Sequence, residues 1–544
     1  MTLVSNPMTL EQLVGQILMI GVSGDTVTPE MVRLFRETHA GGLILYRPNF
    51  RSAQGFKQMI AELEQALERR LLVAVDHEGG RVIHLAEGIT VFPDNLALGM
   101  TGNETYAAEQ GRIEAAELRR LGIDLNLAPT VDVLTEEFSP NIGIRSYARD
   151  AGLVARLGAA RIRAMQQGGL SACAKHFPGQ GHSPLDAHLQ LPVLPTTWEE
   201  MRAVHIQPFA EAIKAGVHTV MSSHPVYFNL DPDPKCPATF SRRIIHDFLR
   251  VELGFEGVIL SDDLEMGALR DLCLASEAAC RTIRAGHDMV LVCHNATAQR
   301  EVFQALLEAY REKKLDLGEL EKSVGRVQAL KQKRQSRFEA GDTHPEPEGK
   351  TLAQKIAREA IRVSENHEPI RGRFGQAAGG GSNGSAPANR QGRFPDREER
   401  TVVIFPRLSE LSRLIFMESD MLDEKVFVQD LFAAYGLAPA VEVLGLDPLD
   451  LEIKQALLAA GQGPAIFFCY DAHLSPQTKR MLEKLQESCL RLAVVLLRDP
   501  YDAAWVRKEA VCVHAFGFRA IQIRAAVERL HGIIAKEKAE PCQC

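Results

Sequence analysis

Two places in this sequence combine residue types that can form and break bonds. Asp262 closes the apolar run Gly257-Val-Ile-Leu-Ser-Asp262. A carboxylate so placed can attack an electrophilic carbon and leave again, as a covalent glycosyl intermediate requires. The neighbouring Asp263 points elsewhere if the backbone stays extended. Helix capping by Ser261, Asp262 or Asp263 is the alternative reading of the same residues. Asp186-Ala187-His188 supplies the second requirement, a proton donor. There the aspartate can fix the tautomer of the imidazole and raise its pKa. Taken by itself, a loop histidine is ordinarily a solvated side chain.

The stretch 175–192, KHFPGQGHSPLDAHLQLP, crowds titratable groups among glycines and prolines. Lys175 and His176 open it and can hydrogen-bond hydroxyls. Asp76, in Asp76-His77-Glu78-Gly79-Gly80-Arg81, can accept from two hydroxyls, with the glycines allowing close backbone approach. A structural ion pair of Asp76 or Glu78 with Arg81 is the competing reading. Zinc is weighed for His176, His182 and His188. Gly179, Gly181 and Pro184 exclude the regular helix that gathers i, i+4 histidines, so the reading is of no metal and no cofactor.

These residues need a scaffold, and the run pattern supplies one. Eight β-rich apolar runs, at 15–22, 42–46, 71–76, 123–128, 171–176, 218–223, 257–262 and 287–293, alternate with helical patterns such as 105–121 and 198–215. Several are apolar almost throughout, as strands buried on both faces must be. Eight such units predict a (β/α)8 barrel of the TIM type, an α/β fold. Asp76, Lys175, His176, Ser223 and Asp262 all fall at carboxyl ends of strands, the rim on which barrel enzymes build their sites.

The chain has 544 residues, so more than one domain is expected. The barrel is assigned to 1–345, and 346–400 to a helix at 351–365 followed by a Gly/Ser-rich linker around 379–387. A smaller α/β layered (sandwich) domain is assigned to 401–540, with strands at 401–405, 440–444, 464–469, 492–497 and 510–514. It lacks the Gly-x-Gly-x-x-Gly turn of a dinucleotide site. A net charge of −8 without a long basic run argues against a nucleic-acid partner. No apolar run is long enough to span a membrane, and the opening residues read as mature protein. Ten scattered cysteines, including a Cys542-Gln-Cys544 end, read as reduced thiols in a cytoplasmic protein.

Several of these segments are similar to glycoside hydrolase family 3, nearest its bacterial β-N-acetylglucosaminidase (β-N-acetylhexosaminidase) branch. They are 75–82 (VDHEGGRV), 122–129 (GIDLNLAP) with 131–133 (VDV), 144–147 (IRSY), 175–179 (KHFPG), 186–188 (DAH), 237–241 (PATFS) and 253–262 (LGFEGVILSD). The resemblance implies Asp262 as nucleophile, His188 as acid/base with Asp186 as its partner, and Asp76, Arg145, Lys175 and His176 as sugar contacts. His84 stands where an arginine commonly helps hold the sugar and is counted with those contacts. Gln180, His182 and Ser183 replace the His, Asp and Thr usual in this loop. The implied activity is removal of terminal β-linked N-acetylglucosamine, from peptidoglycan fragments. Alternatives are a phosphorylase acting on the same bond, a β-glucosidase or β-xylosidase, and a sugar-binding regulator without catalysis. The expected partner is a small carbohydrate. The carboxyl-terminal domain is expected to serve packing or partner contacts.

Overall fold

The computed structural model describes residues 8–86, 88–136, 139–333, 346–364, 401–413 and 415–539. They divide into two compact units. One is drawn from Met1–Glu78, Ile83–Thr90 and Glu104–Gly349, the other from Gly79–Val82, Val91–Asn103 and Lys350–Cys544.

The first unit is a closed parallel barrel. Its strands are β1 (Leu18–Gly21), β2 (Gly42–Leu45), β3 (Leu72–Val75), β4 (Leu125–Asn126), β5 (Ser171–Phe177), β6 (Thr219–Ser222), β7 (Val258–Asp263) and β8 (Met289–Val292), each beside its neighbours in sequence and β8 beside β1. Each of the eight predicted runs coincides with a barrel strand, two of the strands, Ser171–Phe177 and Val258–Asp263, running one residue beyond it. The reason is physical: helices cover the outside and side chains fill the inside, so only residues apolar toward both faces fit. Met19, Ile44, Leu72, Leu125, Cys173, Met221, Leu260 and Leu291 are among the buried residues of one core cluster contributed by all eight strands.

The helix expected over 105–121 runs Glu104–Arg120. The one expected over 198–215 is interrupted. Trp198–Glu200 opens into a wider helical turn at Met201–His205 before Gln207–Lys214 resumes, with Pro208 in its first turn. Proline has no N–H to donate back along the helix, so regular hydrogen bonding stops there.

The second unit holds a six-stranded sheet: β9 (Arg362–Val363), β10 (Val402–Pro406), β11 (Ala440–Leu444), β12 (Ala465–Cys469), β13 (Leu492–Leu496) and β14 (Val511–His514). Its order is β9-β14-β13-β12-β10-β11, with β9 antiparallel and the rest parallel. Ile453 and Ala456 of Asp450–Ala460, with Met481, Leu482 and Leu485 of Pro476–Ser488, share a buried cluster with strand residues Ile404, Phe467 and Val494. A helix spans Glu346–Ala360, and the glycine-rich 379–387 lies outside the described residues, as do Cys542 and Cys544. The eight described cysteines are free thiols. Among the described residues no helix is long and apolar enough to cross a membrane.

Candidate active site

The carboxyl rim of the barrel gathers the predicted residues around two linked networks. In the first, β3 delivers Asp76 and Glu78 and β5 delivers Lys175. Lys175 Nζ lies 2.7 Å from Asp76 Oδ1 and 2.7 Å from Glu78 Oε1. Arg145 grips Glu78 with both arms of its guanidinium, Nε to Oε2 at 2.9 Å and Nη2 to Oε1 at 2.7 Å. Two carboxylates thus face two cations. Glu78 is only 2% exposed, yet its carboxyl is held well below the usual range. Burial pushes it up, and the charges of Arg145 and Lys175 outweigh that. Lys175 and Arg145 thus supply the cations that face Asp76 and Glu78.

The backbone here is fixed from outside the barrel. Arg161, on the helix Ala151–Gln167, donates to the Glu78 carbonyl at 2.7 Å while pairing with Glu114 of Glu104–Arg120 at 2.7 Å. Asn126 of β4 accepts from His77 N at 3.0 Å and donates to His77 O at 2.9 Å. Gly80 also permits a close approach within the protein. A Cβ on Gly80 would lie 2.1 Å from the Asp94 carboxyl, within the second unit.

His176 is held by Asp132. Oδ2 accepts from the His176 N–H at 3.1 Å and lies 2.8 Å from its Nδ1, while Oδ1 accepts from Gln180 N at 2.7 Å. With Nδ1 so engaged, Nε2 is turned toward Arg145 Nη2, 3.4 Å away. His84 meets the ring of Tyr46 edge-on at 5.2 Å, and Tyr46 in turn faces His294 at 5.0 Å. Burial pulls the His84 pKa down, so where an arginine would carry a permanent charge this chain has an imidazole that favours neutrality.

The second network surrounds β7. Asp262 Oδ1 accepts from the Asp263 N–H at 2.8 Å, and His224 Nε2 donates to the Asp263 carbonyl at 3.0 Å, fixing the strand end. The two aspartates have opposite environments. Burial pushes Asp263 up to about 7. Its side chain turns away to accept from Glu265 N and Cys293 N, each at 3.2 Å. Burial also pushes Asp262 up, but the charges of His224, His176 and His188 and the Asp263 N–H more than offset it, and its pKa is lowered. Neighbouring carboxyls driven apart in this way mark one as the ionised partner.

His188, on the loop after β5, lies within electrostatic range of this carboxylate. Its Nδ1 lies 2.7 Å from Asp186 Oδ1, which also accepts its backbone N–H at 2.9 Å. The hydrogen bond to Asp186 raises the imidazole pKa against the effect of burial, and the charges of Asp186 and Asp262 add to the rise. The imidazole is 59% exposed, open to an incoming substrate. Of the unusual loop residues, Gln180 and His182 anchor the loop's start: Gln180 N donates to Asp132, and the ring of His182 lies tilted against that of His205, centres 4.1 Å apart, with Nε2 2.5 Å from Thr196 Oγ1.

His176, His182 and His188 thus have different partners and do not converge on one point. Among the described residues, the group able to meet around an ion is Asp471, His473 and Asp499 of the second unit. There Arg498 already pairs with Asp471 and Asp502 with His473.

Glu78, Asp132, Tyr46, His224 and His294 were not singled out from sequence as site residues. Tyr46, His224 and His294 each directly follow a strand or lie within two residues of its end, so the rule that marked Asp76 applies to them. Glu78 and Asp132 stood inside quoted motifs, but their partners lie far away in sequence.

A family model described as the glycosyl hydrolase family 3 N terminal domain matches residues 9–330. The chain belongs to glycosyl hydrolase family 3. It is a glycosidase of that family, with curated relatives along the barrel half. A relative named beta-hexosaminidase, from Idiomarina loihiensis, is 35% identical over 296 residues, covering 54% of this chain and 88% of the relative. The beta-hexosaminidase of Tolumonas auensis is 37% identical over 292 residues, covering 53% and 86%. The family 3 β-N-acetylglucosaminidase structure from Paenibacillus sp. str. FPU-7 matches at 31% identity and a TM-score of 0.85 over 97% of each chain. NagZ from Neisseria gonorrhoeae matches at 31% identity and a TM-score of 0.54, over 62% of this chain and 97% of its own.

Proposed function

We propose that this family 3 enzyme is a retaining β-N-acetylglucosaminidase. In the first step the Asp262 carboxylate attacks the anomeric carbon as its bond to the leaving oxygen breaks. That oxygen takes the proton from His188 Nε2. In the second step Nε2 removes a proton from water, whose oxygen attacks the same carbon and releases Asp262. Two inversions at one centre leave the β-configuration unchanged.

The observation that carries this reading is the pairing of opposite tendencies at the rim. The imidazoles around Asp262 lower its pKa against burial, and the hydrogen bond to Asp186 with the charges of Asp186 and Asp262 raises that of His188. Asp186 engages Nδ1, which leaves Nε2 as the proton-transferring atom. Asp76, Lys175, Arg145, His176 and His84 are assigned to the sugar. Asp76 and Lys175 would exchange part of their mutual ion pair for hydroxyls when it binds.

The N-acetyl group is supported by the relatives, β-hexosaminidases and a β-N-acetylglucosaminidase. Peptidoglycan fragments as natural substrate rest on the resemblance alone. The deciding assay follows an aryl N-acetyl-β-glucosaminide by NMR, with and without phosphate. Release of the β-anomer of the free sugar supports hydrolysis with retention. Formation of a sugar 1-phosphate assigns a phosphorylase, and turnover only of aryl β-glucosides or β-xylosides assigns the other members of the family. A muropeptide disaccharide set against chitobiose tests the natural substrate.

A further inference from the structure

The loop that carries His188 is docked on the chain just beyond Asp262, and the docking leaves no space for one side chain. Gly267 N donates to the His188 carbonyl at 3.2 Å, and Ala268 N donates to the Ala187 carbonyl at 3.1 Å. Ala187, 1% exposed, packs with Met266 and Ala268, and Leu191 lies against the same cluster. The residue four positions after Asp262 thus seats the residue before His188.

Gly267 is where the two backbones come closest. A Cβ built there would lie 2.5 Å from the His188 carbonyl oxygen, 2.9 Å from that of Leu189 and 3.0 Å from the Leu189 carbonyl carbon. All three are backbone atoms, so no change of rotamer relieves the contact. The loop must move. Packing does little to prevent this, because Leu189 is 73% exposed and Gln190 is exposed beside it.

The requirement for glycine is steric and not conformational. Gly267 is absent from the glycines with positive φ, and it opens the short helix Gly267–Arg270, a setting in which alanine is intrinsically the better residue. Backbone preference and close approach therefore pull in opposite directions at this position.

We propose that Gly267 is a positioning residue for proton transfer: its missing side chain lets the Asp186–His188 loop close on the strand end that bears Asp262. This rests on His188 being the acid/base.

The test is the leaving-group dependence of Gly267→Ala, measured beside His188→Ala and Met266→Ala. A displaced acid matters when the leaving oxygen needs a proton and matters little when it does not. For Gly267→Ala, kcat/KM on a disaccharide should fall roughly 30-fold or more, while on a dinitrophenyl glycoside it should fall less than about 3-fold. Its thermal midpoint should stay within about 2 °C of the parent, which a general structural lesion would not allow. Met266→Ala, which loosens the same seat without adding an atom, should show a smaller change of the same kind. If His188→Ala loses equally on both substrates, the acid/base reading itself fails. If His188→Ala is selective but the folded Gly267→Ala and Met266→Ala lose nothing, or lose equally on both substrates, the positioning proposal is overturned. Should Gly267→Ala not fold, Met266→Ala decides alone.

Discussion

Asp186 holds His188 at two points with one oxygen, accepting the backbone N–H at 2.9 Å and lying 2.7 Å from Nδ1 of the ring. A carboxylate that fixes both the start of a side chain and its ring dictates where Nε2 points. It also raises the imidazole pKa above the ordinary histidine value.

The pH profile should carry this signature. Activity requires Asp262 ionised and His188 protonated, so kcat/KM falls on the acid side as Asp262 gains a proton and on the alkaline side as His188 loses one. The shifts place the acid limb below the ordinary aspartate value of 3.8 and the alkaline limb above the ordinary histidine value of 6.5. Asp186→Asn removes the largest cause of the upward shift. The alkaline limb should then move down to 6.5 or below, with kcat/KM at its optimum reduced about 100-fold. An unmoved limb would assign it to another group.

His188→Ala should separate substrates by leaving group. With a sugar leaving group the loss should be about 10²- to 10⁴-fold, and with a dinitrophenolate, which departs without a proton, within about 10-fold. Comparable losses on both would remove the acid role.

The adjacent aspartates should differ sharply. Asp263 is driven up to about 7 by burial and is turned toward the end of β8, so Asp263→Asn preserves its size and hydrogen-bonding shape and should retain activity within about 10-fold. Asp262→Asn should lose at least about 10⁴-fold, because the amide cannot form the covalent intermediate. The reverse order, by steady-state kinetics, would exchange their roles.

Much of this candidate site was legible from sequence because a parallel barrel writes its strands as apolar runs and places its polar residues at their carboxyl ends. Asp76, Lys175, His176 and Asp262 were located by that rule, and the eight strands were found by their runs. Other features left no local trace. The two-residue strand Arg362–Val363 has no apolar run of its own and exists through pairing with Val513 and His514. The wide turn at Met201–His205 reflects Pro208, whose effect on the preceding residues a 3.6-residue pattern does not display. Glu78 joins Arg145 and Lys175 across 67 and 97 positions of sequence, and only folding reveals such a partnership.

That partnership should matter to stability as well as to binding. Glu78→Gln leaves Lys175 and Arg145, both nearly inaccessible, short of one negative charge. Urea unfolding should show a loss of about 3–5 kcal/mol. The exposed carboxylate of Glu30, which pairs with Arg33 and Arg300, is the contrast, and Glu30→Gln should leave the unfolding curve nearly where it was. Equal effects at the two sites would mean that burial does not set the strength of the Glu78 network.

The central claim is that the Asp262 carboxylate bonds to the anomeric carbon, and trapping that bond tests it most directly. The enzyme is treated with a 5-fluoro N-acetylglucosaminyl fluoride and the adduct is mapped by peptide mass spectrometry. The account predicts one sugar per chain on Asp262, no adduct in Asp262→Asn, and an adduct retained in His188→Ala, since fluoride departs without a proton. A stable sugar on Asp263 or another residue, or full turnover by Asp262→Asn, would contradict it.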